Sequence, residues 1–134
     1  MTEEQKTEMN VLVADDDPAI LRLVTAIVEK EGYRAVVARD GKEAYKILQS
    51  GTNFRAAVFD VVMPYIQGTE LVKFMQTESQ LKGVPVIMMT AEQSPKLSSD
   101  SLSAGAVAFL PKPFTASQLK MMLQMLTNTK KKEK

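Results

Sequence analysis

The chain has no cysteine and no histidine among its 134 residues. Without cysteine there is no disulfide framework and no thiolate zinc site. Without histidine, imidazole-dependent catalysis and the commonest metal ligand are excluded, so a metal here would be a hard cation held by oxygen. No apolar run approaches the ~20 residues of a membrane span. The start, Met1-Thr2-Glu3-Glu4-Gln5-Lys6, lacks the apolar stretch of a signal peptide. The protein is therefore expected to be cytoplasmic, with no membrane contact. No basic face is interleaved with aromatics, so nucleic acid is not an expected partner.

What is present is a domain's worth of chain with 45% apolar residues, enough for a real core. The net charge of +1 is unevenly spread. The end, Lys130-Lys131-Lys132-Glu133-Lys134, carries +3 from four Lys and one Glu, which leaves −2 on residues 1–129. Residues 1–9 read as a flexible polar N-terminus, 10–127 as one domain and 128–134 as a basic, solvated tail.

Apolar runs and helical periodicities alternate along that domain. Asn10 to Ala14 is a short strand. Asp17 and Pro18 then suit the N-cap and first position of a helix running to about Glu31 through Ile20, Val24, Ile27 and Val28, with Gly32 as its left-handed stop. Arg34 to Ala38 is a second strand. Asp40 and Glu43 have capping-box spacing ahead of a helix with Ala44, Ile47 and Leu48 on its apolar face, closed by Gly51. Ala56 to Asp60 is the third strand, and Thr69 to about Gln80 a helix through Leu71, Val72 and Met75. Val84 to Thr90 is the fourth strand and Val107 to Leu110 the fifth. Residues 95–104 predict a weak helix, since Ser98, Ser99, Ser101 and Ser103 compete for backbone hydrogen bonds. It is expected to be the most mobile helix. Thr115 and Gln118 predict another capping box, and Leu119, Met122, Leu123 and Leu126 the inner face of the last helix. Five strands alternating with five helices imply an α/β fold, a doubly wound parallel sheet covered on both faces.

The stretch Val58-Phe59-Asp60-Val61-Val62-Met63-Pro64 organises the chain. Buried parallel strands read as continuous apolar runs, and open α/β sheets do their chemistry at the strands' carboxyl ends. Asp60 lies at such an end, as do Asp15 and Asp16 after the first strand. Two bare carboxylates ~5 Å apart repel by roughly 3 kcal/mol at an effective dielectric near 20. A positive group belongs beside them. Lys112, after the fifth strand, supplies one charge, and Mg²⁺ prefers sites of few carboxylates, waters and phosphate oxygens. Helix capping alone would explain Asp17 but not Asp15, Asp16, Asp60 and Lys112 together. With the Thr90 hydroxyl at the same edge, a carboxylate nucleophile, a metal and a lysine make a phosphoryl-transfer site.

The chain resembles the receiver domain of two-component response regulators, the CheY-like family. The resemblance rests on Val11-Leu12-Val13-Ala14-Asp15-Asp16-Asp17-Pro18, on Val58 to Pro64 with Gly68, on Met88-Met89-Thr90-Ala91, and on Phe109-Leu110-Pro111-Lys112-Pro113-Phe114. It spans roughly residues 9–127. It implies the flavodoxin-like strand order 2-1-3-4-5 and a cis bond between Lys112 and Pro113. It implies Asp60 as phosphoacceptor, and Mg²⁺ or Mn²⁺ held by Asp16, Asp60 and the Val62 backbone carbonyl, with Asp15 acting through a metal-bound water. Thr90, Lys112 and the Ala91 backbone N–H would hold the phosphoryl oxygens. Thr90 and Phe109 match the switch pair, and Val62 and Glu92 positions that tune phosphoryl lifetime. The implied donor is a sensor histidine kinase or histidine phosphotransfer protein. The implied change of surface lies on the fourth helix, fifth strand and fifth helix, with a homodimer through those two helices. Helical spacing leaves Met121 largely outward and Met125 on the flank of the last helix, as adaptable partner contacts.

Two other classes compare poorly. A phosphatase with an aspartate nucleophile typically pairs it with a second acid two residues on, where this chain has Val62. A flavodoxin-like flavin binder needs a Ser/Thr/Gly-rich phosphate loop after the first strand. Here Asp15-Asp16-Asp17-Pro18 would repel the phosphate.

Overall fold

The computed structural model describes residues 9–91 and 108–132, with single positions 96, 99 and 105 between them. Five strands form one sheet: β1 (Asn10–Ala14), β2 (Arg34–Ala38), β3 (Ala56–Asp60), β4 (Val86–Thr90) and β5 (Ala108–Pro111). Every neighbouring pair is parallel and the order is β2-β1-β3-β4-β5, as the resemblance implied. Four helices lie among the described residues: α1 (Pro18–Lys30), α2 (Gly41–Leu48), α3 (Gly68–Thr77) and α4 (Ala116–Lys132). None is long and apolar enough to cross a membrane. Of the weak helix expected over 95–104, only Lys96 and Ser99 are described, both helical. Its remainder and its mobility lie outside the described residues.

The apolar runs are explained by double coverage. All five residues of β1, β3 and β4 are buried, because helices lie on both faces. Leu12, Ala57, Phe59 and Met88 point to one side and pack with Ala44 and Leu48 of α2 and Leu71, Val72 and Met75 of α3. Val11, Val13, Val58, Ile87 and Met89 point to the other, against Leu21, Val24, Ile27 and Val28 of α1 and Leu119 and Leu123 of α4. The edge strands β2 and β5 are only partly buried.

The helix starts follow local chemistry. Asp17 Oδ1 accepts from the Ala19 N–H at 2.9 Å, ahead of Pro18. Thr115 and Gln118 form the reciprocal box: Gln118 N–H donates to Thr115 Oγ1 at 3.1 Å, and Thr115 N–H to Gln118 Oε1 at 2.8 Å. Asp40 accepts from Glu43 N–H at 2.8 Å, but Glu43 reaches one residue further back than a capping box would, to Arg39 N–H at 2.6 Å. Gly32, at φ 95°, follows the α1 C-cap Glu31 as expected.

Some boundaries differ from expectation. β4 begins at Val86, since Pro85 has no N–H to give and contributes only its carbonyl, which accepts from Ala57 N–H at 3.0 Å. α3 begins at Gly68 and stops at Thr77, where Glu78 turns extended and the Thr77 hydroxyl donates to the Phe74 carbonyl at 2.7 Å. α4 continues through Lys132, beyond the last predicted apolar position.

The predicted faces of α4 hold. Leu119 and Leu123 are fully buried, whereas Met121 is 60% and Met125 65% exposed. Leu123→Ala is expected to cost about 2–5 kcal/mol in urea unfolding. Met121→Ala should stay within about 0.5 kcal/mol of wild type. Equal effects would show that the helix is rotated from this placement.

Candidate functional site

Sheet register assembles the site. Ala14 of β1 is paired with Phe59 of β3, so the next residues, Asp15 and Asp60, leave the sheet side by side. Thr90 ends β4 one step beyond the partner of Asp60, and Thr90 is itself paired with Pro111. Lys112 follows directly, its N–H donating to the Thr90 carbonyl at 2.7 Å. Asp15, Asp60, Thr90 and Lys112, from four segments, thus meet at one edge because parallel strands all end on the same side.

Their side chains converge too. Lys112 Nζ lies 3.0 Å from Asp15 Oδ2 and 3.4 Å from Asp60 Oδ1. Asp15 is fully buried, and its other oxygen accepts from Asp17 N–H at 2.9 Å. Asp16 is exposed at the mouth, and one carboxylate oxygen from each of Asp15, Asp16 and Asp60 lies within 4.8 Å of the others. The single ammonium does not balance three carboxylates. Burial, then the Asp15 charge, push the Asp60 carboxyl up to about 6 from 3.8, against the opposing pull of Lys112. Burial alone would lower Lys112, but its hydrogen bond to Asp15 and the charges on Asp60 and Asp15 raise it above its ordinary value. Hard oxygen donors, close spacing and residual negative charge fit a divalent cation.

The loop after β3 has stringent geometry. Val61 N–H donates to the Met89 carbonyl at 2.9 Å, and Gly68 N–H to the Val61 carbonyl at 2.8 Å. At Gly68 an added Cβ would collide with the Asp60 backbone carbonyl and come within 2.9 Å of the Met88 methyl. Glycine there is a steric requirement of the site as well as the start of α3. Between the two pins, Val62 is 56% exposed, and Tyr65 is 78% exposed with φ 74°. Sequence reasoning missed Tyr65, since nothing in a tyrosine announces a left-handed backbone. Gly41, the first residue of α2, is buried beside this loop.

The other expected positions fall as follows. Thr90 is buried at the edge, and Ala91 follows it, exposed. Phe109 is half-buried and paired with Met88, on the same face of the sheet as Thr90. The Lys112–Pro113 bond is cis. Glu92 lies outside the described residues.

A buried carboxylate beside a lysine and two more acids, at the carboxyl edge of a 2-1-3-4-5 sheet, defines a phosphoryl-accepting class of α/β protein. Comparison with known proteins supports this. The model of the response regulator receiver domain matches residues 11–124. The chemotaxis protein CheY1 of Helicobacter pylori is 32% identical over 122 residues, which cover 90% of this chain and 98% of that protein. The response regulator-like APRR7 of Arabidopsis thaliana is 34% identical over 117 residues, 87% of this chain but 16% of its own length. Among solved structures, a CheY-like receiver domain protein from Methanospirillum hungatei superimposes with a TM-score of 0.86 at 31% identity, over 95% of this chain and 99% of that one.

The chain belongs to the response regulator receiver domains and is a CheY-like, phosphorylation-dependent signalling switch.

Crowded charge sets a pH-dependent stability. Below pH 3.8 Asp60 is protonated in folded and unfolded chains alike, and stability is full. As pH rises through about 6 the folded protein must hold an unfavourable charge, and stability falls. In metal-free buffer at pH 7, Asp60→Asn is therefore expected to stabilise the protein by up to about 3 kcal/mol, fading toward zero near pH 4. Urea titration of both proteins at pH 4, 5.5 and 7 measures it. A destabilised Asn variant at pH 7 would contradict it.

Proposed function

We propose that Asp60 is the phosphoacceptor, and that the working unit is residues 10–127, with 1–9 and 128–134 flanking it. The observation that carries this is the convergence of buried Asp60 with Asp15, Asp16 and the Lys112 ammonium. An Asp60 oxygen attacks phosphorus, the bond from phosphorus to the donor imidazole nitrogen breaks, and an aspartyl phosphate forms. Water later cleaves it and returns the carboxylate with inorganic phosphate. A carboxylate needs no base to attack, which suits a site built without histidine.

Asp16, Asp60 and the Val62 carbonyl hold Mg²⁺, with Mn²⁺ as a substitute, and Asp15 acts through a bound water. The cation, when bound, offsets the negative charge of carboxylates and phosphoryl oxygens. Lys112, already drawn between Asp15 and Asp60, takes one phosphoryl oxygen. The Thr90 hydroxyl and the Ala91 N–H take the others. Movement of Thr90 toward the phosphoryl group vacates space into which Phe109 turns, and this carries the state to the surface around β5 and the last helix. A Phe lacks the hydroxyl that a Tyr would use to hold its outward state.

The protein acts on itself and not on a separate substrate. Its donor is a sensor histidine kinase or a histidine phosphotransfer protein, in the cytoplasm where ATP charges such donors. A homodimer through α4 and the segment 95–104, for which the sequence predicts a helix, is the assembly in keeping with exposed Met121.

Incubation with acetyl phosphate and Mg²⁺, read by intact mass, tests the chemistry. Wild type should gain one phosphate, and lose the gain when the metal is chelated. Asp60→Asn should gain none. A phosphate on the Asn variant would overturn the assignment.

A further inference from the structure

We propose that the first turn of α2 is a clamp on the loop between β3 and α3, and that Gly41 is a positioning residue for the divalent cation site although it contributes no ligand. The proposal rests on the reading above, in which Asp60 and the Val62 carbonyl hold the cation.

The loop, residues 61–67, is tied to β4 by Val61 N–H to the Met89 carbonyl, closed on itself by Gly68 N–H to the Val61 carbonyl, and anchored in the core by buried Val61 and Met63. Its middle is gripped from outside. Gly41 N–H donates to the Pro64 carbonyl at 3.3 Å. The Gly41 Cα sits so tightly on the loop that an added Cβ would overlap the Ile66 backbone carbonyl and lie 2.8 Å from the Ile66 Cβ. Gly41 is not among the glycines with positive φ, so its requirement is the space and not the backbone freedom. Beside it, Lys42 Nζ lies 5.9 Å from the Tyr65 ring centroid, on the one loop residue whose bulky side chain sits on a left-handed backbone. Such a conformation persists where its surroundings hold it.

The jaw itself is stiff. Asp40 accepts from Glu43 N–H, and Glu43 from Arg39 N–H, which closes the first turn of α2 on itself. The clamp thus spans Pro64 to Ile66, with one residue, buried Met63, between it and Val62. Asp15, Asp16 and Lys112 belong to other loops. Loosening the clamp would displace the Val62 carbonyl while leaving those charges in place.

The prediction concerns affinity measured directly, with no turnover. By calorimetric Mg²⁺ titration of folded protein, Gly41→Ala should bind roughly tenfold or more weakly than wild type, as loss of a supporting contact typically does. Gly51→Ala is the control. It lies just past the far end of the same helix at φ 86° with nothing within 4 Å of an added Cβ, so it strains the backbone without touching the loop. It should lower stability and leave Mg²⁺ affinity within about twofold. The proposal is overturned if Gly41→Ala binds within twofold of wild type, or if Gly51→Ala weakens binding equally. Should Gly41→Ala fail to fold, Lys42→Ala combined with Tyr65→Gly releases the second grip, and wild-type affinity in that variant is equally fatal. Absent binding by wild type, or undiminished binding by Asp60→Asn, would instead overturn the reading of the site, and the clamp with it.

Discussion

Mutual repulsion of carboxylates at the sheet edge is the constraint around which the molecule is arranged. Asp15 and Asp60 are brought side by side by strand register, exposed Asp16 lies next to them, and Lys112 only partly offsets the three charges. A surface cluster would relax by swinging its side chains apart. Here Asp15 is fully buried and Asp60 nearly so, which denies them water and keeps the field strong. The domain therefore carries a local instability at this edge.

The rest of the fold supplies the rigidity this requires. Parallel β1, β3 and β4 are buried on both faces, so their ends cannot drift without disturbing two apolar clusters at once. The loop after β3 reaches the core through Val61, Met63 and partly buried Ile66. It depends on two close approaches, Gly68 on the Asp60 carbonyl and Gly41 on Ile66. On the other flank, Thr90 and Phe109 share a face of β4 and β5.

Much of this was legible in the residues, for identifiable reasons. Apolar runs ending in Asp15 and Asp60 announced buried strands delivering charge, and Asp17-Pro18 and Thr115 with Gln118 announced helix starts through donors they satisfy. The strand order came from resemblance, since alternation alone does not order a parallel sheet. Two features stayed hidden. Gly41 packs on Ile66 and Lys42 covers Tyr65 across a gap in sequence that no local pattern records. The early end of α3 reflects Thr77 bonding back to Phe74, a choice its helical periodicity does not reveal. Local signals encode elements and caps, whereas contacts between loops depend on how the whole sheet is laid out.

The most direct test of the central constraint is the titration of the Asp60 side-chain carboxyl by carbon-detected NMR, without and with saturating Mg²⁺. The midpoint should lie near 6 in metal-free protein and well below the ordinary carboxylate range once the cation is added. A midpoint near 3.8 that ignores the cation would mean that the charges do not feel one another and that no such pocket operates.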